Sequence, residues 1–152
     1  MISQTAEYAL RAVVHLASAP DRPHTNKEIA EATHVPDSYL SKVLQSLARY
    51  RIVRSRRGLH GGFTLVKPPS RITIYDVVNA VDPLPRIREC PLGIKSHGKR
   101  LCPLHRRLDQ AIAAVEQAFK ETTVAELLAD PGDLTPLCPA PSKRGSVLPP
   151  GR

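Results

Sequence analysis

The chain has 152 residues, 41% of them apolar but only 4% aromatic, and a formal net charge of +8. That length fits one ordinary domain with room for an appended helix and tail, and its core must be aliphatic because Trp is absent. No apolar run approaches the roughly 20 residues that span a bilayer and the N-terminus has no secretory apolar stretch, so a cytoplasmic chain without a membrane partner is expected. The charge favours a polyanion over an acidic small molecule, because the cations cluster in residues 49–67, 86–107 and 143–152. A merely solvated basic surface is the plainer alternative.

Residues 2–18 predict a helix, with Ala6, Ala9, Leu10, Val13, Leu16 and Ala17 at helical spacing and Gln4, Glu7, Arg11 and His15 nearer the other side. Pro20, Asp21 and Pro23 break it. Thr25 with Glu28 makes a capping-box pair that opens a short helix through Ile29, Ala30 and Ala32. After a turn at His34 and Val35, Pro36 opens a third helix reaching Arg49. There Leu40, Val43, Leu44 and Leu47 form one face, while Ser38, Lys42, Gln45 and Arg49 form the other. Helix, tight turn, helix is the helix-turn-helix order.

Residues 52–55 and 63–66 carry strand formers around Gly58-Leu59-His60-Gly61-Gly62 and predict a hairpin that Pro68 and Pro69 end. A short helix follows over residues 72–81, with Thr73 as cap, Asp76 in the first turn, and Ile74, Val77, Val78 and Val81 inward. The segment from Pro85 to Leu101 has no periodicity and many cations, and is expected to be a functional loop. Pro103 starts the longest helix, through about Lys120, with a stripe of Leu104, Leu108, Ala111, Ile112, Val115, Ala118 and Phe119. So few residues remain to cover that stripe that a second copy is the expected partner; packing on the first helix is the alternative. Thr123 with Glu126 caps a last short helix to Leu128, and the proline-rich, basic remainder is expected to be disordered. The expected organisation is a DNA-binding unit over 1–84, a cysteine-bearing loop over 85–102, a dimerisation helix with a short C-terminal helix over 103–130, and a tail over 131–152.

A short helix with a polar outer face beside a basic hairpin suits duplex DNA: the stripe docks the helix, its outer face meets base edges, and the cations hold phosphates. Ser38, Tyr39, Ser41 and Lys42 lie at the helix start that enters a major groove, and Gln45 reads adenine if it reaches that far. Tyr39 has an equal alternative in packing against the first helix. Arg54, Arg56, Arg57 and His60 line the hairpin, where Arg suits a narrow minor groove, and Thr25, Arg49 and Gly61 complete the candidate set. An enzyme is not expected: Cys-x-x-Cys, His-Glu-x-x-His, a phosphate-cradling glycine loop and a nucleophile elbow are all missing. A nucleic-acid-coating module would need stacking aromatics, and only Tyr39, Tyr50 and Phe63 lie near the basic surface. Three cysteines without an export signal argue against a disulfide framework, which leaves metal binding or thiol redox chemistry for Cys90 and Cys102.

The run Tyr39-Leu40-Ser41-Lys42-Val43-Leu44-Gln45-Ser46-Leu47 and the run Arg57-Gly58-Leu59-His60-Gly61-Gly62-Phe63-Thr64-Leu65 resemble the helix and wing of the Rrf/IscR/NsrR family. Glu7-Tyr8-Ala9-Leu10-Arg11, Ile74-Tyr75-Asp76-Val77-Val78 and Cys102-Pro103-Leu104 extend the resemblance over nearly the whole ordered chain. These are bacterial winged-helix transcription regulators, many of which sense iron–sulfur status, nitric oxide or redox state. The resemblance implies a mainly α fold with a small β-hairpin, a winged helix-turn-helix plus a long C-terminal dimerisation helix. It implies a homodimer on double-stranded DNA, acting as a repressor at a roughly palindromic operator with half-sites about one turn apart.

In cluster-bearing members the loop before the long helix holds three cysteines. Here Cys90 and Cys102 flank it, and its midpoint is Ser96 followed by His97. Two thiolates do not complete an iron–sulfur site, which usually takes four protein ligands. The resemblance offers two further ligands, Glu7 lent from the first helix of a second copy and His105, with His97 beside the missing thiol, so a mixed-ligand 2Fe–2S cluster is the favoured cofactor. A reversible Cys90–Cys102 disulfide among Arg88, Lys99, Arg100 and Arg106 is the main alternative. Haem at the Cys-Pro pairs, another metal, and thiols that merely pack and sense nothing are the others, and Cys138 lies in the tail as a poor candidate.

Overall fold

Ser3 caps the first helix by accepting the Ala6 amide at 3.2 Å, and α1 then runs Gln4–Ser18. A computed structural model describes residues 2–95, 100–130 and 136–137; Ser96, His97, Cys138 and nearly all of the tail lie outside the described residues. In chain order the elements are α1, α2 (Asn26–Thr33), α3 (Asp37–Arg49), β1 (Val53–Arg56), β2 (Gly62–Leu65), a 3-10 turn (Pro69–Arg71), α4 (Ile74–Val81), α5 (Pro103–Glu121) and α6 (Val124–Ala129). Among the described residues no helix is long and apolar enough to cross a membrane.

The core forms around α1. Its Ala6, Ala9 and Ala12 are small enough to let neighbours approach closely, and α2, α3, α4 and α6 all pack against it. Val13 and Leu16 from α1, Ile29 from α2, Leu40, Leu44 and Leu47 from α3, Val77 from α4 and Val124 from α6 fill the interior. Ile72, just before the α4 cap, is buried, whereas Ile74 and Val81 are only half-buried, contrary to expectation.

Thr25, Thr73 and Thr123 each head a helix with a complete capping box, partnered by Glu28, Asp76 and Glu126. His34 ends α2 in the left-handed region at φ 55°, with its amide bonded to the Ala30 carbonyl, which turns the chain sharply into α3. Pro36 precedes α3 as its cap residue rather than lying inside its first turn, so the helix proper begins at Asp37; the Tyr39 and Leu40 amides donate to the Pro36 carbonyl.

The hairpin pairs Val53 with Leu65, Arg54 with Thr64, Ser55 with Phe63 and Arg56 with Gly62. It is also riveted to the α1–α2 connection, because Phe63 and His24 exchange amide-to-carbonyl bonds of 2.7 and 3.0 Å. Gly62 permits this approach: its φ is +144°, and a Cβ there would sit 2.5 Å from the His24 carbonyl oxygen. A second bridge, Thr73 with Thr123, returns the chain after α5 to the start of α4 and places Val124 in the core.

Candidate nucleic-acid interface

The two faces of α3 separate as their spacing requires. Leu40, Val43, Leu44 and Leu47 are almost wholly buried, while Ser38, Tyr39, Ser41, Lys42, Gln45 and Arg49 are exposed. Part of that outer face is already engaged. Ser41 donates to the Asp37 carbonyl at 3.0 Å, and Tyr39 sets its ring edge-on to Tyr8 of α1 at 5.8 Å while keeping 45% of its surface exposed. Both expectations for Tyr39 are therefore compatible, since it packs on α1 and still presents surface. Lys42 and Arg49 pair with no acid among the described residues.

Thr25 is exposed, but its hydroxyl is committed to the cap of α2: it accepts the Glu28 amide and donates to the Glu28 carboxylate at 3.1 Å. Arg22 grips the same carboxylate at 2.9 Å, and with the Thr25 amide holds it at a pKa of about 2. Asn26 and Asp37 carry no obvious sequence signal, yet the Asn26 amide donates to the Asp37 carboxylate at 2.9 Å and ties the start of α2 to the start of α3. That bond fixes the angle at which the outer face of α3 is presented.

On the hairpin, Arg54, Arg56, Arg57 and His60 are exposed. Arg54 donates to the Thr64 hydroxyl at 3.2 Å, and Arg56 and Arg57 pair with no acid among the described residues. Gly61 is required at the tip: its amide closes the turn onto the Gly58 carbonyl at 2.9 Å, and a Cβ would fall 2.3 Å from the Arg56 carbonyl oxygen. Leu59 stands at the apex, 95% exposed.

Behind the hairpin, the rings of His15 and His24 meet edge-to-face with centroids 4.9 Å apart. His24 is buried and its Nε2–H donates to the Ala19 carbonyl at 2.7 Å, whereas the His15 Nε2 is buried with no hydrogen-bond partner among the described residues. Burial, and then the neighbouring His24, push the His15 pKa down.

Of the candidate metal ligands, the structure brings together Cys102 and His105. Cys102 is the cap residue of α5, and its Sγ lies 3.3 Å from the His105 Nδ1. Cys90 does not join them, because no group of three such donors occurs among the described residues of the chain. Glu7 is paired with Arg11 of its own helix at 2.8 Å, and the role expected of it, as a donor to a second copy, is not one that a single chain displays. The loop is instead held by a residue that sequence reading missed. Arg86 forks onto Asp109 of α5 at 2.7 and 2.8 Å and reaches Glu116 at 3.2 Å, while the Ile87 amide donates to Asp109 at 2.9 Å. Arg86 holds the Asp109 carboxyl at about 2. Glu116 also pairs with Lys120, whose ammonium sits 4.5 Å from the Tyr75 ring centroid, so α4, α5 and the loop share one charged seam. The seven-residue spacing of Asp109 and Glu116 on one helix face was the available signal.

The family model of Rrf2, described as an iron-dependent transcriptional regulator, matches residues 2–130. The chain belongs to the Rrf2 family. A protein of Aquifex aeolicus (strain VF5) named as an HTH-type transcriptional regulator is 30% identical over 131 residues, covering 84% of this chain and 91% of its own. Rv1287 of Mycobacterium tuberculosis (strain ATCC 25618 / H37Rv), similarly named, is 34% identical over 128 residues, covering 83% and 80%. Among solved structures, CymR (YrzC), the global cysteine regulator of B. subtilis, superposes with a TM-score of 0.70 at 25% identity over 85% of this chain and 96% of that one. The oxidized form of Staphylococcus aureus CymR does so with 0.68 at 26% identity over 88% and 99%. T. potens IscR, at 21% identity, shares the fold with a TM-score of 0.71 over 86% and 87%. The mainly α architecture with a two-stranded wing is thus that of Rrf2 winged-helix proteins. This Rrf2 member is a DNA-binding transcriptional regulator and not an enzyme.

Proposed function

We propose that two copies of this regulator act as a repressor on duplex DNA, each with α3 in the major groove and its wing along the adjacent minor groove. The observation that carries this reading is the outer face of α3, with Lys42 and Arg49 above a buried apolar face, beside Arg56 and Arg57 of the wing, all four paired with no acid among the described residues. Ser38, Tyr39, Ser41, Lys42 and Gln45 then meet base edges or phosphates; Arg49, Arg54, Arg56, Arg57 and His60 hold backbone and minor groove. Thr25 and Gly61 contribute through backbone placement, since the hydroxyl of one is used in a cap and the other closes the wing turn. Pairing of copies is supported by α5, which buries none of its side chains and leaves Leu104 and Leu108 exposed. Selection of duplexes from a random pool by the wild-type protein tests the reading. An enriched palindrome, bound far more tightly than random duplex and with affinity falling steeply with salt, is expected; indifference to sequence or salt would overturn it.

For the signal, the chemistry of the described donors favours a thiol. Cys102 and His105 form a two-donor contact, and among the described residues of one chain no third donor groups with them, where an iron–sulfur site takes four ligands. An imidazole touching sulfur at the head of a long helix can take up or return the thiol proton during oxidation. Two of the neighbours fit this reading, one being named a cysteine regulator and another solved in an oxidized form, whereas the family model is described as iron-dependent. Modification at Cys102 would disturb the start of α5, and the Arg86–Asp109 seam ties that helix to the loop and to α4. Mass spectrometry of anaerobic and peroxide-treated protein, with operator binding measured on both, is the test. Oxidation at Cys102 that changes affinity supports it. Stoichiometric iron and sulfide in anaerobically purified protein would replace it with the cluster reading.

A further inference from the structure

We propose that Leu59 is an apolar probe of the minor groove, packing on deoxyribose walls and on the floor of an A·T-rich segment, so that the wing selects sequence as well as holding phosphate. The inference rests on the DNA-binding reading above and adds a specificity element to it. Leu59 is 95% exposed and stands at the hairpin apex, next to His60 and two residues after Arg57. The apex is a fixed platform rather than a loose loop. The Gly61 amide locks it to Gly58, a side chain at Gly61 would collide with the Arg56 carbonyl, and the base of β2 is bonded to His24. A single exposed leucine is common on protein surfaces; this one is set apart by its fixed mount and by the cations near it in the chain.

The cations near it in the chain, Arg56, Arg57 and His60, favour a polyanionic partner, because an apolar protein surface would desolvate Arg56 and Arg57, which pair with no acid among the described residues. Within DNA, a two-stranded wing tip flanked by arginines matches a narrow minor groove, whose sugar walls are apolar and whose negative potential attracts Arg. Leucine is among the side chains that proteins insert there. An A·T floor leaves room for it, whereas the guanine 2-amino group fills that space.

The experiment uses the full-length chain and the duplex enriched by wild-type protein from a random pool, with 2,6-diaminopurine replacing adenine at the positions facing the wing. This places an amino group on the minor-groove floor and leaves the Watson–Crick partner unchanged. Wild type is expected to lose about tenfold in affinity on the modified duplex. Leu59→Ala is expected to bind unmodified duplex about tenfold more weakly, to lose less than about twofold on modification, and to keep the wild-type salt slope because no phosphate contact is removed. Arg57→Ala shows the converse, a slope shallower by about 0.9 with the modification penalty retained. An unchanged thermal midpoint confirms that Leu59→Ala is folded. Wild-type affinity in Leu59→Ala, or an undiminished penalty, overturns the proposal alone, while Lys42→Ala still weakens binding. A wild-type protein that enriches no duplex overturns this proposal and the DNA reading together.

Discussion

The two longest helices carry the same kind of pattern and meet different fates. α1 has 15 residues and buries seven of them, Ala6, Ala9, Ala12, Val13, Val14, Leu16 and Ala17, because four other helices close around it. α5 has 19 residues, an apolar stripe just as regular, and no buried side chain. Periodicity therefore reports that a helix has a face to cover and is silent on what covers it. For α1 the cover is the chain's own leucines; for α5 we assign it to a second copy.

The sharpest way to break this contrast is to cut each face. Leu44→Ala empties a fully buried site that packs in the α1 core and is expected to cost about 2–5 kcal/mol of folding stability in chemical denaturation. A loss below about 1 kcal/mol would mean that the core around α1 is not close-packed. Leu108→Glu puts a charge on the exposed stripe of α5. The expected result is monomers in sedimentation, retained helical signal, and operator affinity lower by about a hundredfold as bivalency is lost. Dimers that persist in this variant would move the contact off α5.

Smaller effects separate the reading surface from its supports. Lys42→Ala and Arg57→Ala each weaken operator binding by about tenfold, and each phosphate contact removed lowers the log–log salt slope by about 0.9. Variants that change neither would place those side chains off the DNA. Smallest is a pH effect behind the wing. The folded pKa of His15 lies below its ordinary value of 6.5, so the unfolded chain takes up the proton first. Stability is then complete above about pH 6.5 and falls as the pH drops toward the folded value. Denaturation curves at pH 7.5 and 5.5 should differ more in wild type than in His15→Leu. The carboxylates depressed by their partners, Glu28 and Asp109, both at about 2, act in a separate window, where stability is lost only as pH falls below the usual carboxylate range. A His15→Leu protein with the wild-type difference between pH 7.5 and 5.5 would put that effect elsewhere.

Most of the local architecture was legible because short-range rules govern it. Thr25 with Glu28 and Thr123 with Glu126 announce helix starts three residues apart, and the leucine spacing of α3 determines which of its residues face outward. The wing strands were placed within a residue, since Gly62 joins β2 only because its backbone must approach His24. The contacts of Asn26 with Asp37 and of Arg86 with Asp109 were illegible for a different reason: their partners are 11 and 23 residues away, beyond any helical or strand period.

What the sequence by itself determined is the set of amphipathic helices, their caps and the basic hairpin, because each follows from residue spacing along the chain; the family was legible only as a resemblance of the α3 and wing runs to known members. Only the tertiary structure decided that the wing is bonded through Phe63 to His24, that Arg86 staples the cysteine loop to α5, and that Cys102 meets His105 while Cys90 stands apart. Those outcomes depend on which surfaces pack together in space, and packing is settled by the whole core at once.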